Sequence, residues 1–445
     1  MNTSKNEALP PPLTWLPDAE HYCVAYSGGV DSHVLLHLMT VAARARDARL
    51  DAVHVDHGLQ LSSGDWAVHC RDVCEELGVP LTVLRVDAAP RPGESPEAAA
   101  RHARYRALAG WLPAAAVLLT AQHRDDQAET LLLQLFRGAG PRGLASMPAE
   151  TALGGGRLAR PLLDVGRAAV LDYARRQRLR WIEDPSNADT RYDRNLLRRQ
   201  LLPAIRQRWP GIDTVLARAA SLQADQAELA AALGALDCQQ CGIAGQPAQL
   251  DVEALGRLGR ARQRNLLRHW IGANRLPLPA MAVLDRILDS VLPARADARP
   301  RVHWPGAEVR RFRGRLYLMP PLPPLPDVRF TWNLQQPLVL PAGLGRLEAV
   351  AVSGGGLRLP CGASLEVGFR RGGESLRPAG RGARHALKKL FQEWQVPDWE
   401  RARVPLLFCD GALAGVAGYC VAEAFAAGAG EPGVEIRWRK SATDA

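Results

Sequence analysis

Residues 22–38 read YCVAYSGGVDSHVLLHL, and the fold of the first half of the chain turns on them. The run from Tyr22 to Tyr26 is apolar, β-branched and aromatic, as a buried strand requires. From Ser32 onward the pattern becomes helical. Between strand and helix lie Ser27, Gly28, Gly29, Val30, Asp31 and Ser32. Strand, glycine turn and helix in that order place backbone N–H groups and a positive helix end around a phosphate. Adjacent glycines remove the side chains that would hold a phosphate off the backbone. Ser27 and Ser32 add hydroxyl donors, and Asp31 can hold Mg2+ or orient the partners of the phosphates. Two glycines alone would equally mark a tight turn; the order of all six residues after a first strand singles out a nucleotide site.

The G-x-x-x-x-G-K-[ST] loop of common NTPases occurs nowhere in the chain. Instead, SGGVDS resembles the PP-loop of ATP pyrophosphatases. That resemblance implies ATP as cofactor, cleaved between its α and β phosphates, with the loop holding the departing pyrophosphate.

At 445 residues the chain has room for two or three domains, and 47% hydrophobic content suffices for folded cores. It contains no apolar stretch of membrane-spanning length, and no basic-then-apolar leader pattern opens it. A cytoplasmic protein with no membrane partner is therefore expected. The formal net charge of +10 favours a polyanionic partner, most simply nucleic acid. Only Lys5, Lys388, Lys389 and Lys440 are lysines, so arginine carries most of that charge. Eight cysteines in so long a chain do not make a disulfide framework. Cys238 and Cys241 form a C-x-x-C that could take a metal or an iron–sulfur cluster, although no second such pair accompanies it. Cys70 and Cys74, four apart in a helical pattern, also read as core.

Taken in order, residues 1–20 are Pro-rich and read as an arm. Strands are expected at 22–26, 50–57, 81–86 and 115–120, with helices between and after them. Alternation of this kind predicts an α/β domain with a doubly wound parallel sheet covered on both faces. Ligands in such sheets sit at the carboxyl ends of strands, near a switch in strand order. Ser27 to Ser32, Asp56 with His57, and Gln122 with His123 all fall at such ends, so one crevice is expected to collect them. Asp126 and Glu129, three apart, share one face of a helix's first turn. They could simply complement the helix dipole. Beside a phosphate loop they become candidates for Mg2+ or for an ammonium substrate. His123 could act as general acid or base near neutral pH. Residues 137–146, RGAGPRGLAS, read as a mobile glycine-rich loop.

Several motifs then combine. SGGVDS, VDHGL at 55–59, Ala100 and Arg101 with Arg104 and Tyr105, His123 with DDQAET at 125–130, RGAGPRGLASM, and WIEDPSNADTRYDRN at 181–195 together resemble the tRNA(Ile)-lysidine synthetase family. The order and approximate spacing match across residues 20–210. Gln122 departs from the family pattern, standing where a second histidine is frequent, and Ser95 stands where asparagine is common. Residues 211–330 carry alanine-rich helical patterns, and Pro320 to Pro326 read as a linker. Residues 335–440 read as short strands and glycines. There FRRGGE at 369–374, and LKKLFQEW at 387–394, resemble the family's C-terminal domain, with Ser375 replacing a frequent basic residue.

The resemblance implies three parts: a PP-loop catalytic domain (21–210), a helical tRNA-substrate-binding domain (211–330), and a small mixed α+β tRNA-binding domain (335–440). It implies that ATP adenylates the C2 oxygen of the wobble cytidine of a CAU-anticodon tRNA(Ile). The ε-amine of free lysine then displaces AMP, leaving lysidine and changing the codon read from AUG to AUA. Ser27, Gly28, Gly29, Val30, Asp31, Ser32 and Asp56 would bind ATP, and Asp31 and Asp126 would hold Mg2+. Asp31, His123, Asp126, Glu129 and Arg194 would serve catalysis, and Arg104, Arg198, Arg371, Lys388 and Lys389 would contact tRNA. Oligomeric state stays open, a homodimer being one alternative. Two competing functions stay open as well: a PP-loop tRNA thiolase using Cys238 and Cys241, and an ATP-regulated RNA-binding module without chemistry.

Overall fold

The computed structural model describes residues 13, 15–56, 63–87, 89, 96–183, 189–295, 298–359 and 365–440. His57 to Leu59 of the VDHGL motif, Ser95 and Asp184 to Asn187 lie outside the described residues. The chain divides into two units, residues 1–230 and 231–445.

The first unit is built from β1 (His21–Ala25), α1 (Val30–Ala45), β2 (Arg49–Asp56), α2 (Ser63–Leu77), β3 (Leu81–Arg85), α3 (Pro96–Trp111), β4 (Val117–Leu119) and α4 (Arg124–Phe136). A helical turn, α5 (Pro141–Leu144), and a hairpin of β5 (Glu150–Leu153) and β6 (Gly156–Ala159) follow. Then come α6 (Arg167–Arg176), α7 (Asp193–Leu196), α8 (Leu202–Arg208) and α9 (Ile212–Cys241), the division between units falling inside α9. The sheet runs β3-β2-β1-β4-β6-β5, parallel except for β5. This is the expected doubly wound arrangement, with strand order reversing between β1 and β4.

Strand β1 is apolar at every central position because both of its faces are covered. Tyr22 and Val24 join one core cluster with Val34, Leu35 and Leu38, while Cys23 joins another with Val53, Leu118 and Leu158. Alternate side chains of one strand thus enter two cores. Leu13 and Leu16, assigned to an N-terminal arm on composition, are buried in the first of these clusters. Tyr22 Oη donates to the Pro17 carbonyl at 2.7 Å.

The β5–β6 hairpin has no counterpart in the sequence-based expectation. Of its three glycines, Gly154 to Gly156, two mark close approaches. A Cβ on Gly154 would lie 2.2 Å from the Ala109 carbonyl oxygen, and one on Gly156 would lie 2.3 Å from that of Ala116. Only glycine lets this hairpin press against its neighbours.

In the second unit, helices α10 (Val252–Gly256), α11 (Arg260–Ala273) and α12 (Met281–Arg286) lie within the stretch expected to be helical, with Gly259 capping α11 just after α10 ends. Five antiparallel strands accompany them: β7 (Gly242–Ile243), β8 (Gln246–Asp251), β9 (Arg301–Trp304), β10 (Ala307–Phe312) and β11 (Arg315–Met319). Their alternation is masked by arginines on the outer face, such as Arg301 and Arg315, whereas Val302, Val309 and Leu316 point into a core with Trp270 and Leu267. Further along, five short strands from Phe330 to Val421 pair into one antiparallel sheet and three others into a second, with α13 (Leu387–Glu393) beside them. Among the described residues no helix is long and apolar enough to cross a membrane.

Candidate active site

The loop after β1 is held by its own hydroxyls. Ser32 Oγ donates to the Gly29 carbonyl at 3.0 Å, lies 3.0 Å from Ser27 Oγ, and accepts from the Ser27 backbone N–H at 3.2 Å. Gly28 turns the chain with φ +84°, a conformation that L side chains resist, and a Cβ there would sit 3.2 Å from Cys70 Sγ. Gly29 has an ordinary φ of −77° and caps α1, so the turn itself does not require its missing side chain. Beneath the loop, the His54 Nδ1–H donates to the Tyr26 carbonyl at 2.9 Å, and the Ile182 N–H donates to the Gly28 carbonyl at 2.9 Å.

Because β1 and β4 are neighbours, the start of α1 meets the start of α4. Asp31 Oδ1 lies 3.8 Å from Nε2 of His123, and this oxygen is buried with no hydrogen-bond partner. Burial pushes the Asp31 carboxyl above its ordinary value; His123 opposes the shift, and Asp126 adds to it. His123 is itself 1% exposed and caps α4. Its backbone N–H donates to Asp126 Oδ2 at 3.0 Å, and its Nδ1 lies 3.5 Å from the same oxygen.

A third segment closes the cluster. Between α7 and α8 the backbone makes a π-helical turn, Leu197–Leu201, a distortion that concentrates at functional sites. Arg194 from α7 donates through Nε to Glu129 Oε2 at 2.9 Å, and its Nη2 reaches Thr130 Oγ1 at 3.3 Å. Arg198 from the π turn donates through Nε to Glu129 Oε1 at 2.7 Å, and through Nη2 to Glu129 Oε2 at 2.9 Å and Asp126 Oδ1 at 3.0 Å. Burial works against the Arg198 charge, but the bonds to Glu129 and the nearby Asp126 outweigh it and hold that guanidinium above its ordinary value. Arg206 of α8 repeats the pattern, bonding Asp125 at 2.8 Å and Asp213 at 2.7 Å and 2.8 Å.

The structure therefore brings together Asp31, His123, Asp126, Glu129, Arg194 and Arg198. Glu129 is 1% exposed and both of its oxygens accept from guanidinium groups, which makes it the anchor of the two arginines. Arg198, expected at a tRNA surface, has its guanidinium bonded inside this cluster. Arg206 and Asp125 were not singled out from sequence; Arg194 and Arg198, four apart, have the spacing of neighbours on one helical face. A hard divalent cation requires carboxylate oxygens, and the partnerless buried Asp31 Oδ1 near Asp126 fits that requirement.

Asp56 ends β2, beside β1 and at the same end of the sheet. Gln122 accepts from the Thr120 hydroxyl. The glycine-rich loop expected to be mobile contains α5, and Gln127 ties its end by donating to the Met147 carbonyl at 2.8 Å and accepting from the Met147 N–H at 2.9 Å. Arg104 lies on α3, its guanidinium 5.7 Å from the centre of the Tyr105 ring, with Arg101 at 5.0 Å.

In the second unit the FRRGGE motif makes a turn closed by its own glutamate. Glu374 Oε1 accepts from the backbone N–H groups of Arg371 and Gly372 at 2.5 Å and 2.8 Å, while Gly372 and Gly373 take φ of +111° and +83°. Burial alone would raise the Glu374 carboxyl, but these backbone bonds prevail and lower it. Exposed Arg371 pairs with Asp327 at 2.6 Å. On α13, Leu387, Leu390 and Phe391 are buried and Lys388 and Lys389 are exposed. Cys238 and Cys241 lie against the Trp270 core, where burial raises both thiols.

Family models match three stretches in order: a PP-loop domain over residues 3–205, a TilS substrate binding domain over 250–317, and a TilS substrate C-terminal domain over 365–438. Among curated relatives, the tRNA(Ile)-lysidine synthase of Coxiella burnetii is 42% identical over 93% of this chain and 92% of its own length. That of Methylococcus capsulatus is 44% identical over 94% and 96%, and that of Pseudomonas aeruginosa 46% identical over 90% of each. With the PP-loop, the carboxylate–arginine cluster and both C-terminal matches on one chain at such identities, the chain belongs to the tRNA(Ile)-lysidine synthase family.

Proposed function

We propose that this chain ligates free lysine to C2 of the wobble cytidine of a CAU-anticodon tRNA(Ile), so that the tRNA reads AUA in place of AUG. The observation that carries this most is the meeting, at the β1/β4 switch, of the phosphate loop with buried His123, Asp31 and the Asp126–Glu129–Arg194–Arg198 cluster.

In the first step the C2 oxygen of cytidine attacks the α-phosphorus of ATP, and pyrophosphate leaves into the Ser27–Ser32 loop. The backbone N–H groups and helix N-terminus there favour that anion. Asp56, at the same end of the sheet, completes the nucleotide site. Mg2+, when bound, would be held by Asp31 and Asp126 and would offset phosphate charge. In the second step the lysine ε-amine attacks C2, the C2–oxygen bond breaks, and AMP leaves. That amine arrives as an ammonium and must lose a proton. His123, with Asp126 beside its Nδ1, is the group placed to take it, and Asp31 and Asp126 favour the incoming cation. Arg194 stabilises negative charge at the α-phosphate or on the departing oxygen. Glu129 keeps Arg194 and Arg198 in place for that task.

We assign residues 21–210 to catalysis, 211–330 to tRNA-substrate binding and 335–440 to further tRNA binding. Arg104, Arg371, Lys388 and Lys389 contact tRNA phosphates, and Arg198 contacts the tRNA from within the cluster it orders.

The decisive experiment measures labelled lysine entering a CAU-anticodon tRNA(Ile) transcript with Mg2+-ATP, following AMP in parallel. Label is expected in the tRNA with one AMP per lysine, and none when the wobble cytidine is replaced by uridine. Pyrophosphate release that depends on tRNA, with no lysine incorporated, would overturn lysine as the nucleophile and leave adenylation standing.

A further inference from the structure

At the opposite end of β1 from the phosphate loop lies a cluster that the ligase chemistry does not use. Cys23 of β1 pairs in register with Asp51 of β2, and His21 precedes Cys23 by two on the same face. Cys23 Sγ is 3.6 Å from His21 Nε2, and that nitrogen is 2.7 Å from Asp51 Oδ2. One ligand atom from each residue lies within 4.8 Å of the other two. We propose that His21, Cys23 and Asp51 form a structural zinc site, completed by one water on the His21 side.

Three observations support it. Zn–S and Zn–N bonds of ordinary length, at the tetrahedral angle, put sulfur and nitrogen about 3.6 Å apart, which is the separation found; the same geometry sets nitrogen and oxygen about 3.3 Å apart, so Zn2+ must replace the proton that holds His21 Nε2 and Asp51 Oδ2 at 2.7 Å. Asp51 is 6% exposed in mid-strand, and its Oδ1 is buried with no hydrogen-bond partner. Such an oxygen is costly to leave unmatched unless something binds it. Finally, Cys23 is fully buried whereas His21 keeps partial exposure, so an ion has an entry path ending at a soft donor. The competing arrangement is a plain ion pair, with Asp51 Oδ2 shared between His21 and Arg49 Nη2 at 2.8 Å. It satisfies Oδ2 but leaves Oδ1 without a hydrogen-bond partner. Arg49 is mostly exposed and can turn to water when a cation enters.

The full chain, stripped with chelator and given one equivalent of Co2+, tests this. The expected result is one bound Co2+ per chain, with tetrahedral d–d bands and a thiolate-to-cobalt charge-transfer band. The charge-transfer band is expected to vanish in Cys23→Ala, and His21→Gln is expected to weaken binding at least about tenfold. Zn2+ should displace Co2+ and raise the unfolding temperature without changing lysine ligation. His21→Gln lies at a partly exposed strand end and keeps the test valid should Cys23→Ala misfold. Absence of the band in the parent protein overturns the site, as does its persistence in Cys23→Ala, which would assign the thiolate to another cysteine.

Discussion

Arginine meets carboxylate in two ways in this molecule. Around Glu129, two guanidinium groups that are each 27% exposed converge on a carboxylate that is 1% exposed. In the C-terminal region, pairs such as Arg371–Asp327, Arg377–Glu423 and Arg381–Glu393 lie largely in water. The same two groups do different physical work in the two places. Removing one partner from a buried pair strands a charge in a poor solvent, whereas an exposed pair exchanges its partner for water at little cost. The first arrangement holds geometry; in the second, each guanidinium can exchange its carboxylate for another anion, an exchange that salt weakens.

The sharpest way to break this contrast is Glu129→Gln. It leaves Arg194 and Arg198 without their shared anion, and a loss of about 3–5 kcal/mol in stability is expected, with lysine ligation lost alongside. Chemical denaturation of both proteins reads the first, and label incorporation the second. A stability unchanged within about 0.5 kcal/mol would show that the cluster is solvated like the exposed pairs.

Asp31→Asn should separate function from stability. Turnover is expected to fall by about 100-fold or more, the scale of losing one well-placed electrostatic group. Stability should move the other way. The folded Asp31 carboxyl sits above its reference value of 3.8, so the folded state binds that proton more tightly than the unfolded one. Its contribution therefore declines as pH rises from the reference value through the raised one, and ionised Asp31 is a burden at neutral pH. Melting temperatures at pH 7 should be higher for Asp31→Asn than for the parent, with the gap closing in acid. An equal or lower melting temperature at pH 7 would contradict a destabilising Asp31 charge.

Gly28→Ala should cost about 1–2 kcal/mol, because alanine resists the left-handed φ the loop needs. Its Cβ would also crowd Cys70 Sγ. The same change at Gly29, where φ is ordinary, should spare stability yet raise the KM for ATP if phosphate approaches the backbone there. Comparing the two variants by calorimetry and ATP titration distinguishes turn from cradle.

The smallest effect belongs to the exposed side of the contrast. Replacing Lys388 and Lys389 together by alanine should leave folding intact and weaken tRNA binding at low salt. The slope of log affinity against log salt should shrink by about 2 if each lysine neutralises one phosphate. An unchanged slope would remove α13 from the tRNA surface.

Much of this was legible in the sequence. Buried strands in parallel sheets are apolar runs, and β1, β2 and β4 therefore stood out; a phosphate loop is local, so Ser27 to Ser32 could be read as one unit. The placement of Asp126 and Glu129 together was legible too, since a helix's three-residue spacing sets both positions. Other features were hidden for stated reasons. Strands β9 to β11 carry arginines on their outer faces, which obscure the alternation, and the Gly154 to Gly156 run looks like a loop although it marks tight packing.

What the sequence determined by itself was local: where helices and strands start, which loop can cradle a phosphate, and that the chain is basic. Tertiary structure alone decided which charges are partners. Arg194 and Arg198 lie more than sixty residues from Glu129, and their helical spacing does not say which carboxylate they meet. Only the adjacency of β1 and β4, with the 193–208 segment laid across α4, excludes water and makes two of the chain's many basic residues meet one buried carboxylate. The strength of an ion pair depends on its surroundings, and surroundings are a property of the folded chain.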